Sequence, residues 1–340
     1  MPAKIYSIAL LVLIFCSCED KASRLQKFLL KGNIATKERN FDQAAYYYGE
    51  AVRLEPCYTD AWNNLGTVFF LQRRYEEAKT NYDKALNCKP DDVNALLNRA
   101  NASYELKEFY NTIKDLDKVI SIKPDTFVSY FNKGLALTKL RDFKSALLAF
   151  ERASQIQPKN MDVKVNHAIV NYYLKNFEKA REELDQAAKT NDREPNIYNT
   201  LALIETEKGN YKEALNLVNE AIRLNPKQAY FINNRGFIYL QMKEIAKAEK
   251  DIDESIGRDP ENAWAYRNKG ILYLMKSDFT SALRLLKQSE GMDPFVDKIY
   301  AYLAVAYLKS NDKANACNAF KKSKERGDVV LTSGITNSCK

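Results

Sequence analysis

Residues 59–92 read TDAWNNLGTVFFLQRRYEEAKTNYDKALNCKPDD, and the order of small, bulky and proline positions in this stretch returns along most of the chain. Its proline, Pro90, stands 34 residues after Pro56 and 34 before Pro124. Pro158, Pro226, Pro260 and Pro294 continue the series, with one step of 68 residues that is two periods. The skipped place is Asp192, and the phase survives across it. Self-similarity at a fixed period of this length is the mark of stacked repeat architectures, in which one unit cannot bury its apolar face alone.

With the proline set at position 32, the first repeat begins at Leu25 and the ninth at Asp297. Position 8 is then Gly or Ala throughout: Gly32, Gly66, Ala100, Gly134, Ala168, Ala202, Gly236, Gly270 and Ala304. Position 20 is Ala except for Thr112, and position 24 is bulky and apolar from Tyr48 to Phe320. Position 27 is Ala or Ser except for Val119. Small residues at 8 and 20 let two helices approach closely, position 24 fills the groove between them, and the proline ends the second helix. Aromatics at position 17, such as Phe41, Tyr75 and Phe109, are expected to pack at the start of that second helix.

This pattern resembles the tetratricopeptide repeat. Residues 59–92 match its consensus as Trp62, Leu65, Gly66, Phe69, Ala78, Tyr82, Ala85 and Pro90, and the resemblance runs from residue 25 to about 326. It implies an all-α, right-handed solenoid of nine helix pairs, with helix A near positions 1–14 and helix B near 15–31. The repeats fall at 25–58, 59–92, 93–126, 127–160, 161–194, 195–228, 229–262, 263–296 and 297–326, followed by a tail at 327–340. Repeat five lacks its proline, but Pro195 opens repeat six at the first helical position, where proline is tolerated. No boundary is expected there.

Composition agrees with an all-helical chain. Of 340 residues, 46% are hydrophobic and 28% charged, with only 11 Gly and 9 Pro. The formal charge is +8, but Lys and Arg are interspersed with Asp and Glu along the chain, so nucleic acid is not an expected partner. Many carboxylates fall on outward B-helix positions beside basic residues, which reads as a solvated surface. The single histidine, His167, sits at position 7, where the family has a core Leu, and reads as packing. No metal spacing, phosphate-cradling loop or nucleophile elbow is present. The chain is therefore read as a non-enzyme, with no cofactor and no metal.

In the family the A helices line a concave face, and their positions 2, 5, 6, 9, 12 and 13 meet the bound segment. Position 6 here is Asn64, Asn98, Asn132, Asn166, Asn234 and Asn268, with Asn63, Asn199 and Asn233 beside some of them at position 5. A row of carboxamides, each donor and acceptor, can pair with the peptide units of an extended chain, and resembles the asparagine ladder of peptide-binding members. Asn at this position in the family also serves solubility or local hydrogen bonds. Tyr172, Tyr173, Tyr230, Trp264 and Tyr302 fall on the groove positions too, either as exposed anchors or packed against the next A helix. The Lys/Asn/Arg set by which some members capture a C-terminal carboxylate is not supplied by any three consecutive repeats.

The first residues read as an export signal at 1–17. Lys4 precedes an apolar run from Ile5 to Phe15, too short to span a bilayer as a helix. The stretch Phe15-Cys16-Ser17-Cys18 resembles a bacterial lipobox, with Phe15 where Leu is usual, Cys18 the lipidated residue, and 18–24 a tether; an ordinary secretory signal or an uncleaved anchor is the alternative. That leaves Cys57, Cys88, Cys317 and Cys339 as candidate disulfide partners in an oxidising compartment. Cys57 and Cys88 fall near equivalent ends of stacked B helices, and Cys317 is placed to reach back to the tail at Cys339. The expected function is a membrane-anchored, periplasm-facing or surface scaffold that binds a protein or peptide segment in its groove. A structural subunit using convex or edge surfaces is the alternative, and a glycan or nutrient-capture accessory the next.

Overall fold

The computed structural model describes residues 20–327 and Cys339. The signal segment 1–17, the lipidation candidate Cys18 and most of the tail lie outside the described residues. The chain divides into two compact units after Pro158. The division falls between repeats four and five, one period before the missing proline.

The first unit holds α1 (Lys21–Lys37), α2 (Phe41–Leu54), α3 (Thr59–Leu71), α4 (Tyr75–Cys88), α5 (Val93–Glu105), α6 (Phe109–Ile122), α7 (Phe127–Lys139) and α8 (Phe143–Ile156). The second holds α9 (Met161–Tyr173), α10 (Phe177–Thr190), α11 (Pro195–Glu207), α12 (Tyr211–Leu224), α13 (Ala229–Gln241), α14 (Ile245–Arg258), α15 (Ala263–Met275), α16 (Phe279–Met292), α17 (Ile299–Lys309) and α18 (Lys313–Glu325). Odd-numbered helices are the A helices and even-numbered ones the B helices. Each A helix packs on its own B helix, and within a unit each B helix also packs on the A helix that follows it. Residues 21–24, read from sequence as tether, are the first turn of α1, because Asp20 caps it by accepting from Ser23 N at 2.6 Å.

The B helices start at position 17, two residues later than the sequence suggested. The reason lies at position 15, where every repeat turns left-handed: Arg39, Arg73, Lys107, Arg141, Lys175, Gly209, Lys243, Ser277 and Asn311 all have positive φ, between 60° and 81°. The next residue's N–H then returns to the carbonyl five back, as in Arg74 N to Phe69 O at 2.9 Å and Asn210 N to Glu205 O at 2.9 Å. This closes helix A and satisfies one of its last carbonyls. Asn40, Asp142, Asp278 and Asp312, at position 16, then cap helix B by accepting its N–H groups.

The small positions are the contact points. Position 20 is buried in all nine repeats, and so is position 27. Thr112, the exception to alanine at 20, satisfies its hydroxyl on the carbonyls of Ala100 and Glu108. Position 24 lies over position 8. A Cβ on Gly32, Gly66 or Gly134 would stand 2.4, 2.6 or 2.7 Å from the ring of Tyr48, Tyr82 or Phe150 respectively. Those glycines are required by the aromatic ring opposite them. Each such ring is 2% exposed or less, a burial of about 1.5–3 kcal/mol.

Polar seams join successive repeats at positions 7, 23 and 25. Arg99, at position 7, grips Asp115 of its own repeat at 2.8 and 2.6 Å and Asp83 of the preceding repeat at 2.7 Å. Arg235 repeats the arrangement with Asp251 at 2.6 and 2.9 Å and Asn219 at 3.0 Å. Lys133–Asp117 and Lys269–Asp253 make the cross-repeat half alone, at 2.6 and 2.7 Å. Asp115 and Asp251 are 4% and 3% exposed. These two B-helix carboxylates are thus buried ion-pair partners, and the sequence reading of them as solvated is corrected. His167 occupies the same position, half-buried, with Nδ1 2.9 Å from Glu183 Oε2.

A further tie runs to the turn prolines. Arg258 and Arg326, at position 30, donate to the carbonyls of Pro226 and Pro294 in the preceding turns. In repeat two that position is Cys88, which is bonded to Cys57 beside Pro56, with a Cα–Cα distance of 5.4 Å. Cys317 in α18 is bonded to Cys339, with a Cα–Cα distance of 5.3 Å, and Cys339 packs on the apolar cluster that closes the second unit.

Candidate peptide-binding surface

On each A helix, positions 2, 5, 6 and 9 share one face, and positions 4, 7 and 11 share the opposite one. The first face carries the asparagines. Their side chains are tied backward, repeat to repeat. Asn98 Nδ2 donates to Asn63 Oδ1 at 2.9 Å, and Asn234 Nδ2 to Asn199 Oδ1 at 2.8 Å, in both cases from position 6 to position 5 of the repeat before. Asn64 and Asn132 reach instead to position 9, donating to Asn33 Oδ1 at 3.3 Å and Asn101 Oδ1 at 3.0 Å. Asn166 turns to its own helix and donates to the Asp162 carbonyl at 2.8 Å.

A carboxamide has two donors and one acceptor oxygen. One donor is spent in each of these contacts. The Oδ1 atoms of Asn64, Asn98, Asn132 and Asn234 have no donor among the described residues, so each presents an oriented acceptor. Asn268 is different. It is fully buried, its Nδ2 donates to Asn233 Oδ1 at 2.9 Å, and its Oδ1 accepts from Arg267 Nε at 3.1 Å and Nη2 at 2.7 Å. Asn268 is therefore withdrawn from the sequence-derived binding set, because Arg267 saturates it.

The aromatic candidates are held by their own unit. Tyr172 packs on Phe177, with centroids 5.7 Å apart, and burial raises its phenol above the ordinary value. Tyr230 donates to Asn196 Oδ1 and lies edge-to-face on Phe231 at 4.4 Å. Trp264 and Phe237 flank the Arg267 guanidinium at 4.8 and 5.0 Å, and Arg267 Nη1 also donates to the Asp297 carbonyl at 3.0 Å. Lys298, at the start of α17, lies 3.6 Å from Glu207 at the end of α11, so side chains bridge this face across the intervening A helices. Tyr302 is 9% exposed. Of these groove-position aromatics, Tyr173 is the most open, at 36%.

In the first unit the same face is open. Leu30, at position 6 of repeat one, is 59% exposed, and Val128, at position 2 of repeat four, is 45% exposed. They flank the acceptor row of Asn64, Asn98 and Asn132. The exposure of Leu30 was visible in the sequence only as a break in the asparagine row. Among the described residues no cluster of three His, Cys, Asp or Glu side chains could hold a metal, and no helix is long and apolar enough to cross a membrane.

Helix pairs closed by the same left-handed turn and packed through the same small positions define an all-α repeat solenoid. Family models described as tetratricopeptide repeat match residues 59–92, 137–204 and 234–297, and one described as TPR repeat matches 202–243. The chain is a tetratricopeptide repeat protein, and so a protein-interaction scaffold. No curated protein matches the sequence. Among solved structures, the Cut9–Hcn1 hetero-tetramer of the APC/C is similar over 85% of this chain and 56% of that one, at 15% identity and a TM-score of 0.58. This chain thus spans little more than half of that relative. PilF of Pseudomonas aeruginosa is similar over 61% of this chain and 94% of its own, at 19% identity and a TM-score of 0.52. A tetratricopeptide repeat protein of Parabacteroides merdae is similar over 83% and 98%, at 21% identity and a TM-score of 0.45. Likeness at these identities speaks for the fold alone.

Proposed function

We propose that this chain is a non-catalytic adaptor that holds an extended segment of a partner protein along the A-helix face of its first unit. The observation that carries the proposal is the row of carboxamide oxygens on Asn64, Asn98 and Asn132. Each is oriented by a hydrogen bond to the preceding repeat and has no donor of its own among the described residues. An extended chain offers outward N–H groups to such a row, and exposed Leu30 and Val128 add apolar contact at its ends. Recognition of this kind reads backbone first, and side chains at the flanks. The second unit supports the contrast, because Arg267 and the Lys298–Glu207 pair occupy its equivalent face.

The proposal includes export and a lipid anchor at Cys18, which would hold the chain at a bacterial membrane. The lipobox-like stretch at 15–18 and the Cys57–Cys88 and Cys317–Cys339 pairs support it, since disulfides persist in oxidising compartments. Fatty-acid labelling of the wild type and of Cys18→Ala tests the anchor, and label retained by Cys18→Ala would exclude it. The groove is tested by crosslinking from native membranes, wild type against Asn98→Ala/Asn132→Ala. Loss of a partner with helix content unchanged is the expected result. The same partners captured by both proteins would move the function to another surface.

A further inference from the structure

A cavity of about 430 Å³ opens on the first unit between the B helices α2 and α4, with α3 as its floor. Trp62, Leu65 and Phe69 supply that floor from positions 4, 7 and 11, the face of α3 turned away from Asn64. The cavity exists because a seam is missing. Elsewhere in this unit an acid at position 25 meets a base at position 7 of the next repeat, as in Asp83–Arg99 at 2.7 Å and Asp117–Lys133 at 2.6 Å. At the first seam those places are Gly49 and Leu65. Nothing lies within 4 Å of a Cβ built on Gly49. Two charged side chains are thus replaced by a hydrogen atom and an apolar wall.

The lining has a definite chemistry. Trp62 is fixed by donation from Nε1 to the Pro56 carbonyl at 2.8 Å, and Val52 from α2 adds a second apolar side. Asn81 is 7% exposed; its Nδ2 donates to the Glu77 carbonyl at 2.7 Å, and its Oδ1 has no donor among the described residues. Glu77 also lines the cavity, but Arg74 holds its carboxylate with a two-pronged contact and so neutralises it. Lys84 stands at the rim, its Nζ 4.4 Å from the Trp62 ring centroid, with no carboxylate partner among the described residues. The site therefore offers an apolar recess, one buried acceptor and one uncompensated positive charge.

We infer that this cavity is a second docking site, which takes a segment of a partner protein carrying a bulky apolar side chain next to a carboxylate. The side chain fills the recess left by Gly49, a peptide N–H donates to Asn81 Oδ1, and the carboxylate meets Lys84. The chain's charge of +8 favours an acidic partner in the same sense. The site is separate from the asparagine face and does not rest on it.

The test uses fluorescence anisotropy of the full chain with a labelled, acetylated peptide centred on Glu-Phe-Glu, against peptides centred on Lys-Phe-Lys and Glu-Ala-Glu. Saturable binding of the first, at least about tenfold tighter than either of the others, is expected. Gly49→Leu fills the recess and should weaken binding by about tenfold or more, with no loss of thermal stability, because leucine is the better helix former. Gly49→Ala leaves the recess open and should bind like the wild type, as should Asn98→Ala/Asn132→Ala. Lys84→Glu should remove the preference for acidic over basic flanks. Failure of the wild type to bind saturably, or equal binding by Gly49→Leu, overturns the inference. So does self-association of the wild type that Gly49→Leu abolishes while peptide binding stays, since the occupant would then be a second copy.

Discussion

The ring of Tyr82 occupies the place where a side chain on Gly66 would begin, with Cε1 2.6 Å from an ideal Cβ there and the Ala78 carbonyl, one turn back on α4, 3.0 Å away. Helices α3 and α4 therefore meet with one residue reduced to nothing and the other at full size. Gly66→Ala should destabilise the chain by about 1–3 kcal/mol through overpacking, more than the helix propensity it gains. Gly49→Ala, which meets nothing, should instead stabilise by about 0.5–1 kcal/mol. Denaturant midpoints of the two variants check both signs.

Asp115 is buried under a two-pronged contact from Arg99, which holds the guanidinium pKa above its ordinary value through that hydrogen bond. Asp115→Asn keeps the shape and removes the charge. It should cost about 1.5–3 kcal/mol, read by urea unfolding at neutral pH. An unchanged midpoint would mean that Asp83 suffices for Arg99.

Lys243 holds a left-handed backbone at φ 61° and closes α13. An L-residue there costs about 1–2 kcal/mol, part of which glycine regains despite its looser unfolded chain. Lys243→Gly should raise stability by about 0.5–1 kcal/mol, and Lys243→Val should lower it. Thermal melts of the two variants should move in opposite directions.

Glu108, the first residue before α6, accepts from Lys79 Nζ at 2.7 and 2.6 Å and from Asn111 at 3.0 Å, and these contacts hold its carboxyl below the usual glutamate value. A lowered native pKa stabilises fully above the unfolded value of about 4.3 and is lost as pH falls through the native one. Glu108→Gln should therefore be less stable than wild type by about 0.5–1 kcal/mol at neutral pH. The two unfolding curves should converge only once the pH has fallen below the depressed native value of Glu108.

The period, the helix pairs and the reason for Gly or Ala at position 8 were readable because they repeat in phase and need no knowledge of how the repeats stack. The left-handed residue at position 15 was not, since Arg and Lys there carry no turn signal, unlike Gly209. The carboxamide ties were also hidden. Asn98 and Asn63 lie 35 residues apart, and only the packed geometry shows whether position 6 reaches position 5 or position 9 of its neighbour. Arg99 and Arg235 stand where the family has leucine, and reading position 7 across all repeats would have flagged them beside His167. Gly49 carries no signal of its own, and its meaning lies in a seam that lacks both charged partners.

Because the contacts at positions 7, 23 and 25 differ from one seam to the next, the repeats are not interchangeable in order. Removing residues 59–92 would set Arg99 against Gly49, leaving its guanidinium with Asp115 alone and no partner across the seam. A chain of nearly equivalent helix pairs risks stacking out of sequence as it folds. The uneven seams make junctions of several kinds, so that a change in the order of repeats exchanges matched contacts for unmatched ones.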